Sequence, residues 1–115
     1  MATKQESIHA GEYIRSEANG SRSRENITLA ATDAVLPAGQ LLGKVTASGL
    51  YVPYDPAGAD GSETCAGILY APAGSSAAEQ RAVATARDAE VIGGLLTDLD
   101  EDATADLLAL GIIIR

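Results

Sequence analysis

Residues 36–70 read LPAGQLLGKVTASGLYVPYDPAGADGSETCAGILY, and this stretch sets the fold class. Leu36-Pro37-Ala38-Gly39 is a turn. Residues 40–46 alternate as a strand, with Leu42 and Lys44 on one face and Leu41, Gly43 and Val45 on the other. Ala47-Ser48-Gly49 makes a hairpin connection, and residues 50–54 return. Pro53 cannot donate a ladder hydrogen bond, which predicts an edge strand or a strand end there. Residues 55–62, DPAGADGS, are dense in turn formers. Residues 64–71 are apolar and short enough for a buried strand, and Gly67 within them predicts a bulge or a close backbone approach. These residue types fix backbone geometry; they do not move protons.

Working outward, residues 81–92 alternate, with Val83, Thr85, Arg87, Ala89 and Val91 on one face. They read as a strand pair or one long bent strand. One helix is predicted near the C-terminus. Asp98 is the expected N-cap, with Glu101 at the capping-box spacing. The acids at 98, 100, 101 and 102 suit a helix N-terminus. Leu99, Ala103, Leu107 and Leu110 form its apolar stripe, and Gly111 is its stop. Ile112-Ile113-Ile114 reads as a buried terminal strand. Toward the N-terminus, Ile27-Thr28-Leu29 alternates as a short strand. Residues 1–26 are polar, with only isolated apolar residues at Ile8, Tyr13 and Ile14. Such a composition predicts a flexible arm. The expectation is a mainly β chain with a little α (α+β): an arm over 1–26 and a single domain over 27–115.

A chain of 115 residues has room for one modest core. With four Tyr and no Phe or Trp, that core must be built from Ala, Val, Leu and Ile. Cys65 is the only cysteine and His9 the only histidine, which rules out an internal disulfide and argues against a metal. Oligomerisation, or docking on a larger surface, is left to supplement the core. Residues 1–26 balance four acids against four bases. Residues 27–115 carry the whole net charge of −8, so binding a nucleic-acid backbone is disfavoured. No apolar run approaches the roughly 20 residues of a membrane span. A basic region followed by an apolar one is absent at the N-terminus, so no signal peptide is expected and synthesis in a cytoplasm is.

Candidate catalytic groups find simpler explanations. Asp98-Leu99-Asp100-Glu101-Asp102 mimics the start of an EF-hand loop. The sixth and twelfth positions, which need Gly and Glu, are Ala103 and Ala109. Asp55 and Asp60 precede Pro56 and Gly61, where turn chemistry accounts for them, and Glu63 follows in the same loop. Cys65 sits in an apolar strand with no base nearby in sequence. The one histidine lies in the expected arm, so no Ser-His-Asp arrangement can be built. Phosphate-binding glycine patterns are absent, and the two N-x-S/T tripeptides, at Asn19 and Asn26, lack a secretion signal to give them meaning. No catalytic residue, cofactor or metal is expected.

L-P-A-G-Q-L-L-G-K-V-T-x-x-G-x-Y-V-P-Y-D-P-A-x-A-D-G-S over 36–62, then A-G-I-L-Y over 66–70, resembles the lambda-like head decoration proteins of tailed bacteriophages. Ser23-Arg24 leading into Ile27-Thr28-Leu29, the segment Arg87-Asp88-Ala89-Glu90-Val91, and the closing L-G-I-I-I-R at 110–115 add to the likeness. Residues 92–96 lack the Trp-containing loop of some members. The resemblance implies a structural virion protein, not an enzyme. Such a protein sits as trimers at local threefold positions on the exterior of the expanded capsid and stabilises the head. Its partners would be the major capsid protein of the same phage and its own copies, with no nucleic acid and no membrane. A flexible arm suits strand addition to the capsid protein. Its candidate contact residues are Ser23, Arg24, Ile27, Thr28 and Leu29, followed by Tyr13, Ile14 and Arg15. Two other classes fit less well. One is a small ligand-binding β-barrel module. The other is a carrier domain modified at Lys44, although that lysine lies inside a predicted strand.

Overall fold

The computed structural model describes residues 9–20 and 22–115. Eight strands and one α-helix divide between two layers. Strands β2 (Arg24–Leu29), β3 (Leu41–Lys44), β4 (Tyr51–Pro53), β5 (Cys65–Leu69) and β6 (Gln80–Thr85) close a barrel in the order β2-β4-β3-β5-β6. Strands β1 (Ile14–Glu17), β7 (Ala89–Val91) and β8 (Ile112–Ile114) form a separate sheet in the order β1-β7-β8. Helix α1 (Glu101–Ala109) precedes β8 and packs on β5 and β8. The mainly β, single-helix class predicted from sequence is therefore observed.

Two apolar clusters hold these layers. Ile27, Leu29, Leu36, Leu42, Leu69, Ala73 and Ala84 fill the barrel. Tyr13, Leu41, Tyr54, Cys65, Ile68, Ala89, Val91, Ala103, Leu107 and Ile112 fill the space between barrel, sheet and helix. Strand β3 serves both, with Leu42 turned to one cluster and Leu41 to the other, so it is apolar on both faces. In β5 the register runs Leu42↔Gly67 and then Gly43↔Cys65, skipping Ala66. That extra residue is a β-bulge, and it brings Cys65 and Ile68, three apart, into the same cluster. Gly67 also makes the close approach its sequence suggested: a Cβ there would lie 3.1 Å from the Thr85 carbonyl oxygen. Pro53 lies in β4, which meets β2 only at Leu29↔Tyr51, so its missing N–H leaves no ladder incomplete.

Several expectations need correction. Residues 81–92 form neither one strand nor a strand pair. β6 belongs to the barrel and β7 to the other sheet, and the chain turns between them at Asp88 with φ 51°. The helix N-cap is Asp100, not Asp98. Asp100 is extended and accepts from the Ala103 N–H at 2.7 Å, whereas Asp98 is left-handed at φ 70° and accepts from Gln40 Nε2 at 2.8 Å. Of the three terminal isoleucines Ile112 is buried, but Ile113, on the outer face of the sheet, is 40% exposed. The boundary at residue 26 does not coincide with a structural break, because β2 begins at Arg24. Residues 1–8 and 21 of the expected arm lie outside the described residues. Its remainder carries β1 and the first half of β2.

Candidate functional site

The candidate contact residues occupy three environments. Tyr13 is fully buried beneath the barrel wall, where its hydroxyl lies 2.6 Å from Thr85 Oγ1 and 3.3 Å from the Ile68 carbonyl oxygen. Burial pushes its phenol well above the ordinary value. Ile14 pairs with Val91 and packs against the same cluster. Arg15 is the extra residue of a bulge between Ile14 and Ser16 and is exposed. Ile27 and Leu29 point into the barrel and are core residues, while Thr28 between them is half-buried.

Ser23 and Arg24 form a third group with partners the sequence did not reveal. Ser23 is fully buried and its hydroxyl donates to the Glu17 carboxylate. Arg24 sends two nitrogens to the same carboxylate, at 2.6 and 3.3 Å. That two-pronged contact, with Ser23, holds the Glu17 carboxyl below the usual range against the opposing effect of burial. The Arg24 guanidinium also lies 4.2 Å over the Tyr70 ring. Gly11 rests against that ring and donates its N–H to the Tyr70 carbonyl at 2.9 Å; its φ of 68° and a Cβ contact of 2.8 Å with the ring both demand glycine. Glu17, Tyr70, Thr85 and Gly11 thus fasten the start of the described chain to the barrel. Only Tyr70, closing the A-G-I-L-Y stretch, had any sequence signal.

The backbone of β2 completes the site. β2 pairs with β6 along its whole length, from Arg24↔Thr85 to Leu29↔Gln80. Its other edge meets β4 at one position only. The barrel is consequently open along most of that edge.

Elsewhere the polar groups serve turns and caps. Asp55 accepts from the Ala57 N–H, Asp60 from the Ser62 N–H and hydroxyl, and Glu63 from the Gly61 N–H. Those Ser62 bonds hold the Asp60 carboxyl below the usual range. Cys65 is buried beside Asp106, and burial pushes its thiol up to about 11. Among the described residues, no group of three or more His, Cys, Asp and Glu could hold a metal, and no helix is long and apolar enough to cross a membrane. The surface grooves, such as the one lined by Ala31, Thr32, Asp33, Ser75, Ser76 and Ala77, are open depressions.

A two-layer β fold without a convergent reactive centre fits a structural role, and comparison with known families decides which. The family model for bacteriophage lambda head decoration protein D matches residues 3–112. The chain belongs to the head decoration protein family. Head decoration proteins are structural capsid components, so the family associates this chain with a phage capsid and a place in the virion. No curated protein matches the chain.

Proposed function

We propose that this protein binds the exterior of the expanded phage capsid as trimers at local threefold positions, contacts the major capsid protein, and stabilises the head. The family match over residues 3–112 carries this reading. Two physical features support it. A small core with few aromatics gains from burying further surface against copies and capsid. Binding only the expanded shell stabilises that state by mass action, repeated over many copies.

Within the candidate segment, direct contact falls to the accessible groups: Arg15, Arg24 and the backbone of β2. Tyr13, Ile14, Ser23, Ile27 and Leu29 are turned inward and act by holding those groups in place. A ligand-binding barrel is a poorer account, because apolar side chains fill the barrel interior.

Co-sedimentation with empty heads of the same phage, before and after expansion, tests the reading. Saturable binding to expanded heads alone, at three copies per local threefold position, is the expected result. Binding to neither form would sink it. Deleting residues 1–26 would remove β1 and half of β2, so the informative truncation ends at residue 10.

A further inference from the structure

Strand β2 is half of a ladder. The Ala86 N–H donates to the Ser23 carbonyl at 2.8 Å, and the antiparallel register carries that pairing to Glu25, Ile27 and Leu29. Those residues direct their backbone groups to β6. Arg24, Asn26, Thr28 and Ala30 direct theirs to the opposite edge. There the Ala30 N–H donates to the Tyr51 carbonyl at 2.9 Å, and the same parallel bridge takes up the Thr28 carbonyl. The N–H groups of Arg24, Asn26 and Thr28, and the carbonyls of Arg24 and Asn26, have no protein partner among the described residues. Five unpaired groups in register on an accessible strand are a template for a further strand.

We propose that this edge, from Arg24 to Thr28, accepts an extended segment of the major capsid protein as an added β-strand. The inference rests on the capsid reading for its partner and goes beyond it in naming the surface and the mode. Charge selects the occupant. Arg22, Arg24 and Arg87 face only Glu17 and Glu25 at this end of the barrel, in a chain whose net charge is −8. A segment carrying a carboxylate is favoured there, and a second copy of this acidic chain is not.

Asn26→Pro in the full-length protein tests the edge. It removes an outward N–H and no bond to β6, so the fold is kept while binding to expanded heads weakens about tenfold or more. Hydrogen exchange gives a second readout independent of that variant. In the free protein the amides of Glu25, Ile27 and Leu29 are protected and those of Arg24, Asn26 and Thr28 exchange fast; head binding protects the second set. If wild type binds heads and Asn26→Pro binds equally, or if the second set stays unprotected on heads, the edge is not the docking site. If those amides become protected in free protein as its concentration rises, the edge joins copies and the proposal fails. Failure of wild type to bind heads at all would instead overturn the capsid reading.

Discussion

The hydroxyl of Tyr13 lies 2.6 Å from Oγ1 of Thr85, a contact that closes 72 residues of sequence. It links the segment leading into β1 to the last residue of β6, and both side chains are fully buried. Tyr13→Phe keeps the ring and leaves the Thr85 hydroxyl short of a partner, at a cost of about 1–2 kcal/mol. Tyr13→Ala also empties the ring's space and costs about 3–5 kcal/mol. Urea unfolding of the two variants measures both. A Tyr13→Phe protein as stable as wild type would mean that packing alone holds this segment.

Asp100 caps the helix and receives a second donor, the Tyr54 hydroxyl, at 3.0 and 3.1 Å from its two oxygens. Asp100→Ala removes both contacts, and about 1–2 kcal/mol of stability is expected to go from the cap alone. Asp98→Gly loses one bond from Gln40 but relieves a left-handed backbone, so it is expected to cost less. Thermal melts of the two single variants, side by side, give the order. An Asp98→Gly protein melting below Asp100→Ala would return the capping role to Asp98.

Gly43 lies where the loop after β4 returns across β3. A Cβ there would sit 2.6 Å from both Cα and the carbonyl oxygen of Ser62. The loop is fixed by bonds from the Asp55 N–H to the Ser62 carbonyl and from the Thr46 N–H to the Asp60 carbonyl, so it cannot yield cheaply. Gly43→Ala is expected to cost about 1–3 kcal/mol, whereas Gly74→Ala, with nothing within 4 Å, should be nearly silent. Equal urea midpoints for the two would show that the loop is free to move off the strand.

What the sequence revealed was local. The turn at 38–39, the hairpin at 47–49, the Gly67 bulge and the helix stop at Gly111, with φ 81°, each follow from residues adjacent in the chain. What it hid depends on distant partners. Tyr13 and Ile14 look like stray apolar residues in a polar segment; β7 and Thr85, more than seventy residues away, make them core. Asp98 and Asp100 are equivalent caps on paper, and Gln40 and Tyr54 distinguish them. The candidate segment was legible as residues. Its inward and outward halves were not, because the register with β6 decides which groups of β2 reach the open edge.

Three buried groups make the protein's stability sensitive to alkali. Burial pushes the Cys65 thiol from an ordinary 9.0 up to about 11. Burial, and then the bond to Asp100, pushes the Tyr54 phenol from 10.0 up to about 12. Burial raises Tyr13 as well. In each case the folded chain holds a proton that the unfolded chain releases earlier. The stabilisation is therefore complete below about pH 9 and is lost as the pH climbs from there to about 12. Urea midpoints measured between pH 8 and 12 should fall across this window. In Cys65→Ala the decline should begin nearer pH 10, where the exposed phenols of the unfolded chain start to ionise. Absorbance at the phenolate band should show Tyr13 and Tyr54 ionising only as the fold is lost. A midpoint that stayed level through pH 11.5 would mean that these groups reach solvent in the native protein.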